Sequence, residues 1–491
     1  MNHFFTGYYG FMVIRLMAAI FFFLLGACAQ PLTYDASTLQ SWNEIKAELG
    51  PTFSGSPAWQ AHMNFVEDGL ADAGVLDVEK LFAPYTRWWA EDNPDASQRA
   101  LKIGNVSFPV ASYWAYSGST PPEGVSAPLL VYEKGLSRET FRGRILVFEV
   151  NSPPASMARM FSVGHEYATD DFSDSIGISN DQWYQGNYVT RFGRFDELLK
   201  GSGALGAIVV FSMSQDRLAG LYTFPLFNLG VIGVPGIYVD AAVGAEVLNA
   251  AKKGEVARLT LLAETEEVKP YFYSSVLPGR NYGLPQDEEV LLVTHSDGPN
   301  LTQENGTLGI LALVREFAKR PQVDRPRTLR VLLDPQHYSP GRHIVDWYDL
   351  HPEVMRRLVA VLGVEHIGQL EYGENEELYG LTGREEPWLI YARNDKALIS
   401  AAIDAIKKSS LPLTELRVPE KKGQGRWTGL AEIAIKRDIK GYATLSNMSG
   451  YWGTSPGIES FDSKLGTKQI DTLVLLLDNL MAIPAQPNKN K

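Results

Sequence analysis

Apolar residues follow two rhythms along this chain. Short, largely apolar runs cover 290–294, 328–333 and 359–364, while apolar positions recur at helical spacing over 307–319, 395–408 and 467–481. Runs of that length suit strands buried on both faces, and the second spacing suits amphipathic helices between them. The expected fold class is therefore α/β, with a mixed, mainly parallel sheet sandwiched by helices. Upstream, two helical patterns between 41 and 81 flank the loop 50–56. The second, 58–73, puts most of Trp59, Met63, Phe65, Val66 and Leu70 on one face.

The middle of the chain changes character. From 125 to 262 the text is strand-rich, with short β-branched or aromatic runs at 129–132, 143–148, 206–211 and 236–239, mostly bounded by glycine or proline. Helices fit 195–200 and 242–253, the latter ending at Gly254. The expected division is a leader at 1–28, a main domain from 30–124 and 266–485, a β-rich insert at 125–265, and a disordered tail at 486–491.

Composition adds two constraints. The net charge of −12 excludes a nucleic-acid partner, whose phosphates demand a basic face. At the N-terminus, Arg15 precedes the apolar run 16–25, which is too short to span a bilayer and has the shape of an export signal. Cys28, the only cysteine, sits where a bacterial lipobox would place the lipidated residue. Ala27-Cys28-Ala29 fits plain signal cleavage as well, so both a lipid-anchored envelope protein and a soluble periplasmic or secreted one remain open. A lipid anchor would be the sole membrane contact, and the mature chain has no internal disulfide.

Candidate chemistry lies at the ends of three strands. The first offers His295 and Asp297, followed by Glu304 and Asn305 at a helix start. The second offers Asp334, Gln336 and His337, and the third Glu365 and His366. A lone strand-end histidine usually caps a loop. Three such ends meeting at one sheet edge supply the nitrogen and oxygen donors that zinc takes. Whether Gln336 or His337 faces the metal stays open, because a one-residue slip reverses the face. The glycine-rich basic loop 421–427 suits an acidic substrate group, but such a run is more often only a solvated loop.

Two resemblances extend this reading. The phrases at 143–147, 203–210 and 234–239, with Gly244 beyond, resemble a protease-associated domain, an insert that implies substrate gating or partner contacts. From 41 to 481 the chain resembles the zinc aminopeptidase family, which includes secreted leucyl aminopeptidases, glutamate carboxypeptidases and glutaminyl cyclases. The resemblance implies two zinc ions and places His295 at the first zinc-binding histidine, Asp297 at the orienting carboxylate and Glu304 at the bridging aspartate. The paired glutamates fall on Gln336 and His337, the later acidic ligand on Glu365, and the last histidine on Trp452 or Gly453. An amide cannot act as the base, and neither Trp452 nor Gly453 binds zinc. His295, Glu304, His337, Glu365 and His366 thus imply one zinc ion, with Glu304 or Asp297 as base toward a small peptide or other small polar substrate. The competing expectation is a catalytically inactive pseudo-peptidase that acts as a binding module.

Overall fold

A computed structural model describes residues 34–91, 95–150, 164–172, 194–222, 230–342, 344–374, 379–446 and 457–484. The leader with Cys28, Trp452 and Gly453, and the tail 486–491 lie outside the described residues.

The main sheet has nine strands among the described residues. In spatial order they are Leu76–Phe82, Tyr271–Leu277, Thr328–Asp334, Glu289–His295, Leu358–Gly363, Lys440–Ser446, Trp388–Ala392, Thr414–Arg417 and Tyr167–Ala168. The four strands from Thr328–Asp334 to Lys440–Ser446 are parallel neighbours at its centre, and antiparallel pairs flank them. The central strands are buried along their whole length, so their apolar runs do not alternate with polar residues.

Helices cover both faces. Gly306–Ala318, Pro57–Asp72, Ala36–Glu48, Ser463–Met481 and Lys396–Lys408 touch one another in one layer. An added Cβ at Gly309 of that layer would meet Val364, whereas one at Gly363 would meet Ala431 of helix Ala431–Lys436. Consecutive strand residues face opposite ways, so the two helices lie on opposite faces. Local chemistry sets the helix starts. Ser56 caps Pro57–Asp72 by accepting from the Trp59 amide, with proline at the first position, and Asp395 and Asp462 cap the helices that follow them.

A second, eight-stranded sheet runs in the order Val106–Phe108, Arg99–Ile103, Val256–Leu261, Val125–Val131, Ile145–Val150, Gly206–Phe211, Gly236–Val239 and Ser112–Tyr113. Its strands between 99 and 113 lie upstream of residue 125, so this sheet draws on more of the chain than the strand-rich middle. A ladder between Tyr85–Ala90 and Ala263–Val268 connects it to the main sheet.

Candidate metal and active site

Register brings the candidate residues together. His295 pairs with Asp334 on one side, and Val293 pairs with Gly363 on the other. Two further residues along each strand set Glu365 level with His295. Gly363 in turn pairs with Ala443, which by the same count sets His366 level with Ser446. The polar residues therefore meet at the carboxyl ends of adjacent parallel strands, where open α/β sheets place ligands. One ligand atom each from His295, Glu365 and His366 lies within 4.8 Å of the others, and all three residues are buried.

Hydrogen bonds divide the three by role. His295 Nδ1 lies 2.8 Å from the Asp297 carbonyl, which only accepts, so Nδ1 carries the proton and Nε2 keeps a lone pair. That Nε2 stands 3.9 Å from Glu365 Oε2. The other Glu365 oxygen accepts from the Leu430 backbone N–H at 2.8 Å, and burial pushes its pKa up to about 7. Gly429, at φ +82°, makes this approach feasible, because an added Cβ would stand 2.8 Å from the same oxygen.

His366 is different. Its Nδ1 accepts the Ser446 backbone N–H at 3.1 Å, while the Ser446 hydroxyl donates to Gln369. Burial, reinforced by His295, holds His366 well below the usual histidine pKa, so the ring is neutral. A neutral ring accepting at Nδ1 carries its proton on Nε2. His295 and Glu365 therefore present lone pairs, and His366 presents a donor. For His366 to ligate through Nε2 it would have to give up the Ser446 bond.

The other sequence-derived candidates sit around this trio. His337 stacks on His295 with ring centroids 4.4 Å apart, whereas the Gln336 amide turns to the Pro340 carbonyl, so the strand end presents the imidazole. The Asp297 carboxylate accepts from the backbone N–H groups of His337 and Tyr338, at 3.1 and 2.9 Å. Burial raises its pKa well above the usual value, with Asp334 and Glu304 adding to the effect. Glu304 lies outside the trio. It forms a buried ion pair with Lys46 and accepts from the Thr52 hydroxyl at 2.9 Å and the Asn300 amide at 2.7 Å. Three acceptor positions of the carboxylate are thereby used, and Glu304 does not join the cluster of His295, Glu365 and His366.

Lys46 and Ser446 escaped the sequence reading. Lys46 had a signal: with Leu39, Trp42 and Asn43 it completes the buried stripe of helix Ala36–Glu48, where lysine is rare without a partner. The Ser446 and Leu430 contacts are backbone amides, which no residue type advertises.

The donor set bears on zinc. One imidazole nitrogen with its other nitrogen fixed by a carbonyl, plus one buried carboxylate, is ligand chemistry that zinc accepts. His337 or a rearranged His366 is the nearest source of a third protein ligand.

No protein-family model and no curated protein matches the sequence. Solved structures do match. A peptidase precursor from Shewanella amazonensis is similar over 93% of this chain and 97% of its own, at 15% identity and a TM-score of 0.61. A zinc aminopeptidase from Bacillus subtilis is similar over 91% and 95%, at 11% identity and a TM-score of 0.59. For an aminopeptidase from Aneurinibacillus sp. the shares are 91% and 93%, at 13% identity and a TM-score of 0.57. The chain has the fold of these peptidases.

Proposed function

We propose that this chain is an exported, metal-dependent hydrolase with a single zinc held by His295 and Glu365, acting on a small peptide or other small polar substrate. The observation that carries the proposal is the 3.9 Å approach of His295 Nε2 to Glu365 Oε2 at adjacent strand ends, within an aminopeptidase fold. Bound zinc supplies a Lewis acid for a carbonyl and an acidified water.

The chain's own residues do the rest. The Asp297 carbonyl holds His295 in the tautomer that leaves Nε2 a ligand, and the Leu430 N–H steadies Glu365. His366 keeps an N–H in the same buried space, suited to a developing oxyanion. Lys46 holds Glu304 in an ion pair. Asp297, with its raised pKa, is then the carboxyl beside the site that can hold or release a proton.

Elemental analysis and a chelator-controlled screen of small amides and esters test this. About one zinc per chain in the wild type is expected, lost in His295→Ala and Glu365→Gln together with hydrolysis. A wild type with neither metal nor hydrolysis overturns the proposal and leaves a binding module on the same fold.

A further inference from the structure

A cavity of about 200 Å³ opens beside the candidate site. Phe53, Tyr85, Trp88, Tyr116, Tyr222 and Tyr338 supply half of its lining residues, from the main domain, the connecting ladder and the second sheet. The rings pack on one another: Phe53 stands 4.5 Å from Tyr222 at a tilt of 33°, and Tyr222 meets Tyr338 edge to face at 5.8 Å and 69°. Two of their hydroxyls are engaged by backbone carbonyls. Tyr85 donates to the Ser54 carbonyl and Tyr222 to the Tyr338 carbonyl. The wall therefore offers mainly ring surface.

Two donors interrupt it. Arg87 and Trp88 both line the cavity, and the buried Nε–H of Arg87 and indole N–H of Trp88 have no acceptor among the described residues. Arg87 is anchored by its ion pair with Glu266 and lies over the Trp89 ring at 5.6 Å. A buried donor without an acceptor is costly, and a ligand that brings an acceptor relieves that cost. Aromatic walls in turn favour a planar ring, whose edge and face complement theirs, over an aliphatic group of equal size.

We propose that this cavity binds an aromatic ring bearing a carboxylate, with the acid group on Arg87 and Trp88 and the ring among Phe53, Tyr222 and Tyr338. Tyr338 also borders the metal candidate, its ring 6.2 Å from that of His295. The assignment stands apart from the hydrolase reading, because binding is measured directly and without turnover.

The test is titration of the full chain with phenylacetate by ligand-observed NMR, beside cyclohexylacetate and phenethylamine. Phenylacetate should bind several-fold tighter than cyclohexylacetate. Phenethylamine, which lacks the acceptor, should bind about tenfold more weakly. Arg87→Gln should weaken phenylacetate by about tenfold, and Phe53→Ala should narrow its advantage over cyclohexylacetate, with thermal unfolding showing both variants folded. Equal binding of the two acids, phenylacetate binding unchanged in Arg87→Gln, or no binding of phenylacetate to the wild type would each overturn the proposal.

Discussion

His366 and Ser446 face each other across two parallel strands, and the backbone N–H of one donates to Nδ1 of the other. This bond makes His366 a donor, so its loss should affect metal less than loss of His295. His366→Ala is expected to weaken zinc binding by less than tenfold, whereas His295→Ala abolishes it. The same variant strands a buried amide and should lower stability by about 1–3 kcal/mol. Competitive chelator titration and urea unfolding check the two halves separately.

Lys46 and Glu304 make a second testable pair. Both are almost fully buried, so removing one charge leaves the other uncompensated. Lys46→Met should destabilise the chain by about 3–5 kcal/mol, and pairing it with Glu304→Gln should recover a large part of that loss. A double-mutant cycle in urea measures the coupling.

Acid–base behaviour gives a third. Burial pushes Asp334 from 3.8 up to about 7, although it accepts the Gln336 and Ile344 amides, and Glu365 and Glu415 rise to about 7 as well. Between the ordinary carboxyl range and about 7 the folded chain keeps protons that the unfolded chain has released. Stability from these groups therefore falls as pH rises through that window. The metal-free protein should melt higher near about pH 5 than near about pH 7.5, and Asp334→Asn should flatten the slope. Zinc should reverse the trend at neutral pH, because it binds carboxylates.

Close packing at a helix start yields a fourth. A Cβ on Gly306 would stand 2.3 Å from both Thr294 Oγ1 and the Val364 carbonyl. Gly306→Ala should displace helix Gly306–Ala318 from the strands that carry His295 and Glu365. The expected cost is about 1–3 kcal/mol, with weakened zinc binding. Differential scanning calorimetry with and without zinc reads both effects.

Much of this architecture was visible in the sequence because the central strands are buried on both faces. Val290–Val293 and Leu329–Leu333 cannot be mistaken for solvated segments, apart from Arg330, whose guanidinium is paired with Glu289. The peripheral strands were less legible for opposite reasons. Leu76–Phe82 is an exposed edge whose charged residues obscure any alternation, and Tyr271–Leu277 hides two buried serines within an otherwise apolar run. At the site, His295, Glu365 and His366 could be read from their strand ends. The roles of the two histidines could not be, because tautomers follow from backbone partners that sequence does not name.

The pairing of Leu76–Phe82 with Tyr271–Leu277 has a consequence for how the chain is made. Phe82 lies opposite Tyr271, so everything between them is, in topology, the tip of a single hairpin. On a ribosome the first strand must wait for its partner, and at roughly 5–20 residues per second that delay is on the order of ten seconds or more. Throughout that time the nascent N-terminal helices Ala36–Glu48 and Pro57–Asp72 also lack Gly306–Ala318, the helix they pack against. The second sheet can close first, since its strands lie wholly within the hairpin tip. Its completion brings the waiting edges side by side and shortens the search that remains.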